Sequence, residues 1–135
     1  MRIFLGETTN ESPWREMLKD HIKLDEKIDY FDPIVEDWTP DCIDIEEKEK
    51  ELNCDVHLYV ITSAMTGVYS IAEAVQSSNT KNKQTIFIIV NDGNYGDGQL
   101  RSLKGVGELI KKNGQGSYIT TSENSIYSIL KKVLV

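Results

Sequence analysis

The chain has 135 residues, with 15 Lys plus Arg against 22 Asp plus Glu, giving a net charge of −7 and a pI near 4.8. Apolar residues make 39% and charged residues 27%, the composition of one globular domain rather than of a disordered chain. The acidic balance argues against a nucleic-acid partner, since binding along a phosphate backbone needs a basic face that releases counterions.

The pattern alternates strand and helix from end to end. Ile3 to Leu5 is a short apolar strand stopped by Gly6. Ser12-Pro13 is a helix start, with Trp14, Leu18 and Ile22 at helical spacing. Ile28 to Phe31 is a second strand, broken by Asp32-Pro33, and Thr39-Pro40-Asp41 opens a second helix with Cys42, Ile45 and Leu52 along one face. Val56 to Ile61 is the third strand. Ser70 is read as the cap of a third helix whose apolar face is Ile71, Ala74, Val75 and Ser78. Thr85 to Val90, the most apolar strand, is expected inside the sheet and covered on both faces. A glycine loop (Gly93, Gly96, Gly98) precedes a helix carrying Leu100, Leu103, Leu109 and Ile110, weakened by Gly105 and Gly107 and ended by Asn113-Gly114. Ser117 to Thr120 is the fifth strand, and Ser122 caps a last helix with Ile126, Ile129, Leu130 and Val133 on one face.

Strands alternating with helices imply an α/β domain spanning residues 1–135. The expected architecture is a flavodoxin-like or Rossmann-like three-layer fold with a five-stranded parallel sheet. The apolar runs are far shorter than the roughly 20 residues of a membrane span, so no membrane partner is expected. Met1-Arg2-Ile3 enters a strand-like run without a signal-peptide layout. Cys42 and Cys54 lack metal-pair spacing and are expected as free thiols in a cytoplasmic protein.

In such folds a ligand sits beyond the carboxyl ends of the strands, where the strand order reverses. That rule selects three loops: Gly6 to Ser12, Asp32 to Thr39 and Thr62 to Ser70. The third leads into Gly67-Val68-Tyr69-Ser70-Ile71-Ala72-Glu73. Ser70 and Glu73 have the spacing of a capping box. The same spacing puts a carboxylate in the first helical turn, where the dipole keeps it ionised and the crevice lies before it. A carboxylate so placed can attack an anomeric carbon and form a glycosyl intermediate. The two readings are compatible. In the first loop Gly6 permits close approach of a ligand, and Thr8, Thr9 and Asn10 offer polar groups. A P-loop is excluded because no Gly-Lys-Ser/Thr sequence occurs. Phe31 and Trp38 either stack on a nucleobase or pack as core. The acidic group Asp41, Asp44, Glu46, Glu47 and Glu49 is a solvated helix face from which one carboxylate can reach the crevice, and His21 and His57 are read as structural or exposed.

Ile3-Phe4-Leu5-Gly6, Asp55 to Thr62 and Gly67 to Ala74, together with Tyr30-Phe31-Asp32-Pro33 and Asp37-Trp38-Thr39-Pro40, resemble the nucleoside 2-deoxyribosyltransferase superfamily. The likeness is to a divergent phage and bacterial subgroup and covers about residues 2 to 90. The resemblance implies double displacement at C1′ of a deoxynucleoside, with Glu73 as nucleophile, Ser70 positioning it and Glu47 as a second acid. On this reading the Gly6 to Asn10 loop, with Gly6, Thr8, Thr9 and Asn10, and Gly67-Val68-Tyr69 hold the sugar, Phe31 or Trp38 packs on the base, and Met65 is a further substrate contact. No cofactor or metal is implied, and copies of the chain are expected to associate. The chain departs from the family at Phe4, where a Tyr is usual, and at Gly67, where an Asp is usual. Base transfer, N-glycoside cleavage and binding without turnover therefore stay open. Ser70-x-x-Glu73 is also similar to the catalytic Ser and Glu of TIR-type NAD glycohydrolases.

Overall fold

A computed structural model describes residues 1–7, 14–33, 39–65, 68–122 and 126–134. Thr8, Thr9, Asn10, Trp38 and Gly67, expected to hold substrate, lie outside the described residues. The elements run β1 (Arg2–Glu7), α1 (Trp14–Ile22), β2 (Asp29–Phe31), α2 (Asp41–Asn53), β3 (Val56–Ile61), α3 (Tyr69–Ser78), β4 (Gln84–Val90), α4 (Gln99–Lys112), β5 (Gly116–Thr121) and α5 (Ile126–Leu134). Every strand pairing is parallel, and the sheet order is β2-β1-β3-β4-β5. This is the flavodoxin-like three-layer arrangement, with the order reversing between β1 and β3. β4 lies between β3 and β5 and is buried from Thr85 to Val90, which is why it carries an unbroken apolar run.

Alternation along the strands divides the core in two. Ile3 and Leu5 of β1, Val56, Leu58 and Val60 of β3, and Ile86, Ile88 and Val90 of β4 pack with Trp14, Leu18 and Ile22 of α1 and Ile126 and Leu130 of α5. Phe4, Tyr59, Ile61, Phe87 and Ile89 pack on the other face with Ala74 of α3 and Leu103 and Ile110 of α4. Close approach in this second layer requires glycine, as Gly6 and Gly107 illustrate. A Cβ on Gly6 would lie 2.6 Å from Cδ1 of Tyr59, its partner in the β1–β3 register, and one on Gly107 would overlap the Tyr118 ring. Gly107 therefore lets α4 approach β5 closely, and its cost in helix propensity is offset by packing.

The helices on this face differ in part from the sequence reading. In α2, Ile45 and Leu52 are 61% and 73% exposed, and Lys50 is the buried residue. At 100° per residue, Lys50, Glu46 and Glu47 share one side and Ile45 and Leu52 the opposite one, so the helix turns charge inward. In α3 the buried positions are Ser70, Glu73, Ala74, Ser77 and Ser78, while Ile71 and Val75 are half-buried. Val68, not Ser70, precedes the first helical residue, and it makes no side-chain cap. Ser70 is thus the second residue of α3 and Glu73 the fifth, beyond the reach of a capping box. Leu109 of α4 is also exposed rather than packed.

Candidate functional site

The inward-facing charges of α2 and α3 meet over the β1–β3 half of the sheet. Lys50 Nζ donates to Glu73 Oε2 at 2.7 Å and to Glu47 Oε1 at 3.1 Å. The Lys50 and Glu73 side chains are 9% and 6% exposed, so this is a buried ion pair, while Glu47 is half-exposed at its rim. The ammonium also lies 5.4 Å from the centre of the Phe4 ring, a cation–π arrangement on the floor of the site.

A chain of hydrogen bonds fixes the turn that carries Lys50. The Lys50 carbonyl can only accept, so His57 Nε2–H donates to it, at 3.0 Å. Nδ1 of the same ring is then the acceptor, receiving the Ser77 hydroxyl at 2.5 Å, and Ser77 Oγ accepts from the Thr85 hydroxyl at 2.7 Å. This tautomer is neutral, and burial accordingly lowers His57 to about 4. His57 is structural, as its isolation in the sequence indicates.

Electrostatics separate the carboxyl groups. Burial raises Glu73, and Lys50 opposes that rise. Burial works against the Lys50 charge, but Glu73 and Glu47 together hold its pKa above the ordinary lysine value. Glu46, one turn before Lys50, is raised to about 7, first by burial and then by the Glu73 carboxylate. Tyr59 is fully buried beside Phe4, with ring centres 6.0 Å apart. Burial and the Glu73 charge push its phenol above the usual range. A hydroxyl thus stands in the layer where Phe4 has none, on the neighbouring strand.

A groove of about 230 Å³ opens between α2 and α3, lined by Glu47, Lys50, His57, Glu73, Gln76 and Ser77 among others. It also reaches Lys83, just before β4, and so extends toward the amino ends of the strands. The carboxyl-end loops expected to form the crevice fall in large part outside the described residues.

The structure brings Glu73 and Glu47 together on one lysine. Gly6 adjoins them through its contact with Tyr59, Met65 packs half-buried against the same core layer, and Ser70 is buried one turn before Glu73. Phe31 stacks on Phe4 at 6.2 Å, so it serves the core layer, and Tyr69 is 65% exposed at the start of α3. Sequence reasoning missed Lys50 and Tyr59, and it named Glu46 only as one of the acidic residues of the second helix. The i, i+3 spacing of Glu47 and Lys50 was the available signal, but it is shared by many solvated helix faces.

A second, more open cavity of about 510 Å³ lies beyond β4, around Gly93 to Gly98, Arg101 and Lys104. Its loop is tied to the sheet by the Tyr95 hydroxyl, 3.1 and 2.8 Å from the carbonyls of Ile61 and Val90. Among the described residues no group of three His, Cys, Asp or Glu is arranged to hold a metal, and no helix is long and apolar enough to cross a membrane. Comparison with protein-family models, with curated proteins and with solved structures gives no match.

Proposed function

We propose that this chain cleaves or exchanges the N-glycosidic bond of a nucleoside or deoxynucleoside, or of its monophosphate, through Glu73. The observation that carries the reading is a buried carboxylate held on a lysine and facing a groove, with a second carboxyl of raised pKa beside it. Burial raises both carboxyl groups, and two carboxyls with different partners can take different roles in one reaction. A Glu73 oxygen attacks C1′ and forms a C–O bond. The C1′–N bond breaks, its electron pair stays on the base nitrogen, and that nitrogen takes up a proton. Glu46, near 7, is suited to give that proton. Glu47, to which the resemblance assigns this part, is engaged with Lys50. Water or a second base then attacks C1′ and gives up a proton to the Glu46 carboxylate, while the C1′–O bond to Glu73 breaks and both carboxyl groups return to their starting state.

The test is chromatography of deoxynucleosides, their monophosphates and NAD with added free bases, after incubation with wild type and Glu73→Ala. Release or exchange of a base by wild type, absent in the variant, is expected. Full turnover by Glu73→Ala would sink the reading. A second reading, a nucleotide-binding module without turnover, is favoured by Phe4, which has no hydroxyl to orient Glu73 from β1. It predicts a thermal shift with these compounds and no change in any of them.

A further inference from the structure

Lys50 and Glu73 are both withdrawn from water, and each lies within 2.7 Å of its counter-ion. A carboxyl at that depth without a partner takes up a proton, because desolvation penalises the anion. The ammonium has little freedom. It is held by Glu73, by Glu47 at 3.1 Å and over the Phe4 ring, while its own carbonyl receives His57. His57 is in turn held by Ser77, and Ser77 by Thr85. The chain therefore runs from β4 through α3 and β3 to α2, and each hydrogen bond joins two elements. Within this helix Lys50 is the buried residue, while Ile45 and Leu52 face solvent.

We infer that Lys50 is a positioning residue: it holds the Glu73 carboxylate in one orientation and in its anionic form, while the Thr85–Ser77–His57 chain holds the turn of α2 that carries it. This rests on the role proposed above for Glu73. The charged and titratable groups around Glu73 are Glu46, Glu47 and Lys50 from α2, Tyr59 from β3 and Tyr69 from its own helix, with Glu51, Lys83 and neutral His57 lining the same groove. Of the two lysines, Lys50 is the one that donates to Glu73, while Lys83 Nζ donates to the Cys54 carbonyl at 2.7 Å. An arginine can replace the Lys50 charge, whereas methionine fills similar volume without it.

The experiment is a carboxyl-carbon NMR titration of Glu73 in the full chain, run beside the pH dependence of kcat/KM for base exchange. In Lys50→Met the Glu73 midpoint is expected to rise by about 1–3 pH units. The acid limb of kcat/KM moves with it, tenfold in rate per unit at pH values below the limb. Lys50→Arg restores both. Should Lys50→Met fail to fold, Lys50→Gln keeps a hydrogen bond to Glu73 without the charge and gives the same reading. Equal Glu73 midpoints in wild type and in the charge-free variants would overturn the inference. A moved midpoint in a protein that turns over none of the compounds would retire the glycosidic reading and leave the hold of Lys50 on Glu73 demonstrated.

Discussion

His57 and Leu58 are neighbours on β3 and point to opposite faces of the sheet. Leu58 enters a layer built from apolar side chains of β1, β3, β4, α1 and α5. His57 enters the other layer, where Phe4, Tyr59 and Phe87 are accompanied by Lys50, Glu73, Ser77 and Thr85, all buried. One face follows the rule that apolar residues pack inward. The other buries two opposite charges and a chain of hydroxyls, each satisfied by a partner on another element. Buried ion pairs add little net stability compared with apolar packing of the same volume. The second face, which also holds an apolar core of its own, is therefore the place to look for chemistry.

The largest effect is expected from breaking the apolar face. Leu58→Ala removes a fully buried side chain and should cost about 2–5 kcal/mol, independent of pH between 4 and 7. Urea unfolding reads it, and a loss that changes with pH would mean that the two layers are coupled.

Next comes His57→Gln, which tests the polar face through pH. His57 has a folded value near 4 against 6.5 for the free side chain, so the unfolded chain binds more protons between these limits. The stability this group supports is complete above pH 6.5 and is lost as pH falls toward 4. Relative to wild type, His57→Gln should gain about 2–3 kcal/mol on going from pH 7 to pH 4. Glu46 acts with the opposite sign. Raised to about 7 in the fold, it supports stability at low pH that is lost as pH rises from 4.5 toward 7. Stability profiles of the two proteins that run parallel across this range would show that His57 is not buried in its neutral form.

The smallest effect sharpens the comparison at α2. Leu52→Glu should change stability by no more than about 0.5 kcal/mol, because Leu52 is 73% exposed and both residues are good helix formers. A loss of about 2 kcal/mol or more in urea unfolding would place Leu52 against the sheet and turn the helix over.

The parts of the fold readable from sequence were those set by local pattern. The apolar runs Val56 to Ile61 and Thr85 to Val90 specify buried parallel strands, and Asn113-Gly114 ends its helix where Gly114 adopts a φ of +81°. The face of α2 was not readable. Ile45 and Leu52, seven residues apart, have the spacing of a buried stripe. Lys50 is buried instead because its counter-ion lies 23 residues further on, in another helix. Ser70 was misread for a related reason: a Ser followed three residues later by a Glu fits a capping box, but it fits equally well one residue inside a helix that begins at Tyr69. Glu73 was found from its place near the strand-order reversal, and its actual stabiliser, a lysine rather than a helix dipole, needed the tertiary structure.

The most direct test of the functional claim measures two quantities on Glu73→Gln, which keeps an oxygen to accept from Lys50 while removing the nucleophile. The account predicts base-exchange turnover lower by about 10⁴-fold or more, in a protein that still folds but loses up to about 3–5 kcal/mol because the buried Lys50 ammonium no longer faces an anion at Glu73. Undiminished exchange by the folded Glu73→Gln protein would contradict it and make the ion pair a structural element of the second face.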